Sequence, residues 1–240
     1  MEILKDIFAE DLFLYLKKHN TLLLSDIHIG YEEMLNASGI LIPRNNHLDL
    51  KIRLEKTLYA LNRKNAQLEY IIINGDLLHS FSKITLDERY ILKDILECLN
   101  KYGKIIIIKG NHDKVLEFLI NKNVVFTKEA ILGDILITHG DVINKHSNDK
   151  RIKTIVVGHE HPSIILDSGI RKEKFKCLLV GKYKNKNLIV TPSCNILVEG
   201  SDVLREKILS PYIKNVLEFN AFIVEDKIYD FGKLKKLKRN

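Results

Sequence analysis

The sequence predicts an α/β protein built as a four-layer αββα sandwich, two mixed β-sheets flanked by helices. Three observations carry this expectation. Short runs of Ile, Leu and Val recur and end in Gly, Asp or Asn, the pattern of buried strands. In the first half these runs alternate with amphipathic helical stretches. In the second half they follow one another with few residues between. A βαβ-like half joined to a strand-rich half fits two facing sheets with helices outside.

Residues 3–19 mix helical and strand spacing, and the reading stays open. One version has an edge strand near Ile7 and Phe8, then a connection around Lys17 and His19. Residues 21–25 form the first strand. Tyr31 to Leu35 opens a helix that Gly39 and Pro43 interrupt, so 31–46 reads as a mobile insertion. Residues 47–64 carry Leu48, Ile52, Leu54, Leu58 and Leu61 at helical spacing. A strand then runs to Asn74. Residues 85–102 are a second amphipathic helix, with Leu86, Ile91, Leu92, Ile95, Leu96 and Leu99 on its apolar side. Thr85 followed by Glu88 forms a capping box, and Gly103 fits the C-terminal cap. A strand at 105–108 and a short helix at 114–121 come next. Strands follow at 124–126, 130–132, 135–138, 155–157, 164–166, 175–180, 188–190, 221–224 and 228–231, the last two as a hairpin. No repeat, linker or low-complexity boundary divides the chain. It reads as a single domain, 1–240, ending in a basic tail at 233–240.

A chain of 240 residues can bury a full core within one domain. No apolar run approaches the ~20 residues of a membrane span. The charged start Met1-Glu2-Ile3-Leu4-Lys5-Asp6 lacks a signal-peptide core, so a cytoplasmic location is expected. Cys98, Cys177 and Cys194 have no CxxC spacing and read as buried thiols. The net charge of +7 would favour polyanions, including nucleic acid. Much of it lies in lysine-rich stretches at 182–186 and 233–239, which read as solvated faces.

The polar residues that end the apolar runs carry the chemistry. Of nine histidines, His28, His79, His112, His139, His159 and His161 fall in loops after expected strands. In open α/β sheets ligands bind just beyond the carboxyl ends of strands. Imidazoles and carboxylates together suit Mn, Fe, Zn or Ni better than Mg or Ca. Asp26 and His28 are two apart, as are His159 and His161, so each pair can point one way on leaving a strand. Gly75, Gly110 and Gly158 precede ligand positions, where close approach excludes a Cβ. The Asp76 carboxylate can bridge two ions. A pair of ions ~3.5–4 Å apart clamps the attacking and leaving oxygens of a displacement at phosphorus. Core histidines and helix-capping aspartates would explain one or two of these positions. Eight together at strand ends would need too many buried partners.

Asp-x-His at 26–28, Gly-Asp at 75–76, Gly-Asn-His-Asp at 110–113, the lone His139 and Gly-His-x-His at 158–161 follow in that order. Together they resemble the five motifs of the calcineurin-like metallophosphoesterases. The resemblance implies a dinuclear metal centre. Asp26, His28 and His161 would hold one ion and Asn111, His139 and His159 the other, with Asp76 between them. Metal-activated water or hydroxide would be the nucleophile. His112 would be catalytic, stabilising the transition state or protonating the leaving oxygen. Protein phosphatases of this superfamily carry a second Asp three residues after the Gly-Asp motif, where it orients the equivalent of His112. Here that position is His79. Either Asp113 takes the orienting role or nothing does. His79 either contacts substrate phosphate or is a half-buried histidine bonded to backbone. Lys109 reads as a solvated strand-end lysine.

A narrower resemblance rests on 26–32, 39–43, 75–79 and 191–203. These stretches look like the prokaryotic branch of DNA-ligase-associated phosphoesterases and their archaeal relatives. It implies Mn(2+)-dependent phosphodiesterase activity on small nucleotides, cyclic ones included, or on DNA, and a functional link to DNA repair proteins. Asn195 reads as a donor behind the ligands or as a turn residue. A nuclease is the alternative enzyme, for which only Tyr31 and Phe81 stand near the rim as stacking aromatics. A non-catalytic metal-binding scaffold is the third reading. Such scaffolds usually lose ligands or the third-motif His, and all of these are present here.

Overall fold

The computed structural model describes all residues except 64–65, 80–83, 120–123, 168, 170 and 238–240. The chain opens with an antiparallel meander of β1 (Glu2–Leu4), β2 (Ile7–Glu10) and β3 (Phe13–Leu16). β4 (Thr21–Ser25) pairs antiparallel with β3. β5 (Tyr70–Asn74), β6 (Lys104–Ile108) and β7 (Val125–Thr127) then add in parallel, completing a seven-stranded mixed sheet in chain order. Central parallel strands are covered on both faces and read as unbroken apolar runs. Leu22, Leu23 and Leu24 on β4 and Ile71, Ile72 and Ile73 on β5 are accordingly all buried.

The crossovers carry α1 (Tyr31–Ala37), α2 (Asn46–Arg63) and α3 (Leu86–Asn100). Leu50, Leu54, Leu58 and Leu61 of α2 and Ile91, Leu92, Ile95 and Leu99 of α3 enter the same core as β4–β6. Three expected core positions do not. Leu48 and Ile52 are 47% and 63% exposed, because each lies two residues, about 200° of helical turn, from Leu50. Leu86 is 84% exposed as the first residue of α3. The Thr85–Glu88 capping box forms in both directions. Gly103 does not cap α3. The helix ends through Lys101 in right-handed geometry, and Gly103 instead passes the Glu69 backbone, where a Cβ would lie 3.4 Å from its carbonyl oxygen. The helix expected at 114–121 shrinks to a 3-10 turn at Leu116–Phe118, and residues 120–121 lie outside the described residues.

The second sheet contains β8 (Glu129–Leu132), β9 (Ile135–Thr138), β10 (Thr154–Val157), β11 (Pro162–Asp167), β12 (Lys172–Tyr183), β13 (Lys186–Val190), β14 (Ser201–Asp202), β15 (Asn220–Val224) and β16 (Ile228–Lys233). Its order is β14-β11-β12-β13-β10-β9-β8, with β15 and β16 branching from β12. β9, β10 and β13 run parallel, and β15–β16 is the expected hairpin. Alternation splits this sheet between two cores. Ile137, Val156, Leu178 and Ile189 face the first sheet. Leu136, Ile155, Val157, Leu179 and Leu188 face outward, under Tyr212, Ile213 and Phe219. The two mixed sheets are as expected, and the outer layers differ in kind. α2 and α3 cover the first sheet, while coil and 3-10 turns cover the second. The basic tail is folded at its start, where Lys233 closes β16 and Leu234 is buried. The three cysteines are free and buried. Among the described residues no helix is long and apolar enough to cross a membrane.

Candidate metal centre

β4, β5 and β6 run parallel in one sheet and β9 and β10 in the other, and the residues after their carboxyl ends meet. Donor atoms of Asp26, His28 and His161 lie within 4.8 Å of one another, as do those of Asp76, His139 and His159. His28 Nε2 and His161 Nε2 are 3.2 Å apart, and His161 Nε2 is 3.5 Å from Asp26 Oδ1. The two groups adjoin. His139 Nδ1 lies 3.5 Å from Asp26 Oδ1 and His139 Nε2 lies 3.4 Å from Asp76 Oδ2. Asn111 Oδ1 is 2.9 Å from His139 Nε2. All seven residues expected as ligands therefore come together.

The backbone is bent to achieve this. Asp26, His28, Asp76, His159 and His161 all have φ between 41° and 63°. That left-handed region is uncommon for any residue with a Cβ, though Asp and His are enriched there. Such strain costs about 1–3 kcal/mol per residue and persists only where the surroundings over-determine it. Two carboxylates help to do so. His159 N donates to Asp26 Oδ2 at 3.1 Å and His112 N to Asp76 Oδ1 at 2.9 Å. Close approach does the rest. A Cβ on Gly75 would sit 2.0 Å from His139 Nδ1, on Gly110 2.1 Å from Asp76 Oδ1, and on Gly158 2.4 Å from Asp26 Oδ2.

The electrostatics suit cations. Among the described residues, Asp26 Oδ1 and His139 Nδ1 are buried without a hydrogen-bond partner. Burial, then the neighbouring His161, pushes His28 down to about 2, so its imidazole is neutral. Burial also lowers His159. Burial alone would lower His139, but the Asp76 hydrogen bond and the charges of Asp26 and Asp76 outweigh it and raise the imidazole to about 9. Burial likewise disfavours the Asp76 carboxylate, yet His139 and the His112 amide hold it below the usual range. Carboxylates converging on one imidazole are an excess of negative charge that divalent cations neutralise as well as a proton does. Orphaned oxygen and nitrogen donors, neutral imidazoles and two buried carboxylates fit a pair of divalent ions.

His112 closes the site. Its Nδ1 donates to the His79 carbonyl at 2.8 Å, and its Nε2 lies 3.9 Å from Asp76 Oδ2. The orienting group is thus a backbone carbonyl. Asp113 does something else: its buried carboxylate accepts from Leu78 N at 3.2 Å and Gly110 N at 3.0 Å, binding the second motif to the third. The His79 ring lies 5.5 Å from that of His112, stacked, and meets Tyr31 edge-on at 5.0 Å. His79 Nδ1 is 3.4 Å from His28 Nδ1. Tyr31 opens α1, and Asn36 bonds to the Ile42 backbone and Glu32 to Asn46 N within the 31–46 stretch. Phe81 lies outside the described residues. Lys109 places its ammonium over the Phe126 ring at 5.8 Å.

Of the residues that act from behind, sequence reasoning named Asn195 and missed Ser193 and Glu160. Asn195 was singled out, and its Nδ2 donates to the carbonyls of Ile27 at 3.0 Å and His28 at 3.2 Å. Ser193 Oγ holds the Asp26 carbonyl at 2.6 Å. Glu160, buried between two histidines, accepts from Leu209 N at 2.8 Å and Ser210 N at 2.7 Å. The sequence signal for Ser193 was its place in the polar stretch 191–195. Glu160 carried only a position inside a motif.

A model of the calcineurin-like phosphoesterase family matches residues 19–178. The chain belongs to that family. Calcineurin-like phosphoesterases are metal-dependent hydrolases that use two ions, and the matched span holds every residue of both donor groups. The fold is also that of a solved structure, the Pseudomonas putida nuclease MPE. It is 17% identical, with a TM-score of 0.64 over 93% of this chain and 94% of that one. A protein of unknown function from Aquifex aeolicus, AQ665, is 20% identical over 59% of this chain and 78% of its own, with a TM-score of 0.35. No curated protein matches the chain.

Proposed function

We propose that this phosphoesterase is a dinuclear metal-dependent phosphodiesterase that hydrolyses phosphodiester bonds of small nucleotides, cyclic ones included. The observation that carries the reading is the fixed His112, with Nδ1 on the His79 carbonyl at 2.8 Å and its ring 5.2 Å from that of His28. Asp26, His28 and His161 would hold one ion and Asn111, His139 and His159 the other, with Asp76 between them. We assign Mn(2+) to both positions, with Fe, Ni and Zn as the alternatives. When bound, the ions supply Lewis acidity toward phosphoryl oxygens and lower the pKa of water. The chain's own part is positional and protonic. A carbonyl only accepts, so His112 Nδ1 carries a hydrogen, and Nε2 is the nitrogen that transfers a proton to the leaving oxygen. His79 stacks on that imidazole and Tyr31 meets His79 edge-on, and the two form the wall against which a base or ribose packs.

Mn(2+)-dependent cleavage of bis-p-nitrophenyl phosphate tests the reaction. Activity unaffected by His112→Ala would refute the role of His112. A second reading, a nuclease, is supported by the likeness of the fold to that of the P. putida nuclease MPE and by the net charge of +7. Rates on 2′,3′-cyclic nucleotides and on single-stranded DNA separate the two, and a nuclease binds DNA with steep salt dependence.

A further inference from the structure

The strained loop of Asp26 and His28 is gripped along its length by residues 191–195. Cys194 N donates to Ser25 O at 2.8 Å, and Ser25 N to Cys194 Sγ at 3.3 Å. Thr191 Oγ1 donates to Ser25 Oγ at 2.7 Å. Ser193 Oγ holds the carbonyl of Asp26, and Asn195 Nδ2 those of Ile27 and His28. The gripping segment is itself coil, so something must fix it in turn. Lys176 on β12 does so. Its Nζ donates to the Ser193 carbonyl at 2.8 Å and also to the Asn195 carbonyl.

This lysine is not an ordinary surface charge. Lys174, two residues earlier on the same strand, pairs with Glu206, whereas the Lys176 ammonium is capped by two carbonyls. Burial pushes it down to about 8. A buried ammonium is costly, and a flexible four-carbon stem ending in several donors suits a double carbonyl clamp. The clamp acts on the two residues whose side chains reach the carbonyls of Asp26, Ile27 and His28. Asp26 and His28 have φ of 53° and 49°, so the loop would relax if the clamp were released.

We propose that Lys176 is a positioning residue for the metal centre, clamping Ser193 and Asn195 and so setting the metal affinity of the Asp26–His28–His161 group. The inference rests on the metal reading above. It makes a selective claim, because Asp76, Asn111 and His139 are placed by Asp113 and by glycine turns rather than by residues 191–195.

Metal-stripped wild type, Lys176→Met, Asn195→Ala, Ser193→Ala and the Lys176→Met/Asn195→Ala double variant are titrated with MnCl2 by calorimetry. Far-UV circular dichroism checks the fold of each. Wild type is expected to bind two ions. Lys176→Met and Asn195→Ala are each expected to weaken one ion about 10- to 100-fold and spare the other. The double variant is expected to be no weaker than the worse single variant, because both act along one path. Folded Lys176→Met that binds both ions as wild type does, or weakens both equally, overturns the proposal. If Lys176→Met does not fold, Asn195→Ala and Ser193→Ala decide, and wild-type affinity for both ions in those variants overturns it. Wild type that binds no Mn(2+) defeats the metal reading and this inference together. Two ions on wild type with Lys176→Met indifferent defeats this inference alone.

Discussion

The two halves of the metal centre are held by different means. Asp26 and His28 sit on a loop gripped by hydroxyl and amide side chains from residues 191–195, more than 160 positions away in the chain. Asp76, Asn111 and His139 sit on turns fixed at close range, by the Asp113 carboxylate and by glycines with no room for a Cβ. The first half depends on polar atoms as well as on the close approach of Gly158 to Asp26, and the second chiefly on positions where a methyl group has no room. The difference teaches that one site combines two kinds of rigidity, one polar and drawn from a distant stretch of chain, the other steric and set by close backbone approach.

The largest expected effect removes what both halves share. The His112 ring sits edge-on to that of His28 at 5.2 Å, and its Nε2 lies 3.9 Å from Asp76 Oδ2. His112→Ala should cut the rate of bis-p-nitrophenyl phosphate cleavage by about 10²–10⁴, the range for a general acid. Atomic absorption should find metal content unchanged. A variant that loses its metal instead would make His112 a support of the ligands.

Gly110→Ala attacks the steric half. Its Cβ would lie 2.1 Å from Asp76 Oδ1 and 2.3 Å from Asp76 N, and backbone cannot swing aside as a long side chain can. Overpacking of this kind costs about 1–3 kcal/mol, readable as a lower urea midpoint. A wild-type midpoint would show that the second half has slack.

Ser193→Ala attacks the polar half more gently. It strips one hydrogen bond from the Asp26 carbonyl and should cost about 0.5–1.5 kcal/mol in the same assay. A loss as large as that of Gly110→Ala would erase the contrast between the halves.

The last test is a pH dependence. Burial lowers Lys176 from 10.5 to about 8, so the folded chain binds this proton less tightly than the unfolded chain. From about pH 8 to 10.5 the unfolded chain keeps the proton while the folded chain has lost it. Stability rises with pH wherever the unfolded state holds more protons, so the burial penalty fades across that window. The unfolding free energy of wild type minus that of Lys176→Met should climb over this range. A flat or falling difference would mean that the ammonium is not destabilised by its surroundings.

Much of this molecule was legible in the chain. β4 and β9 fall on the residues expected, and the capping box of α3 forms as read, because both depend on neighbours in sequence. Each apolar run followed by Asp, His or Asn marked a strand end at the rim. Errors came where a periodic pattern had to be assigned a face. Leu48, Ile52 and Leu86 are apolar, but they lie outside the stripe set by Leu50, Leu54 and Ile91. Gly103 was read as a helix cap because glycine suits left-handed backbone. Its actual constraint is the nearby Glu69 backbone, a contact between strand starts.

By itself the sequence determined the sandwich, the five ligand-bearing strand ends and the donor types gathered there, since strand burial and side-chain chemistry are properties of short stretches. The tertiary structure alone decided how the donors are aimed. The left-handed backbone of Asp26, His28, Asp76, His159 and His161, the His79 carbonyl that orients His112, and the Lys176 clamp all depend on which backbone atoms face one another across the two sheets. Carbonyls and amides are the same at every position of a chain, so no residue pattern announces which of them a distant side chain will meet.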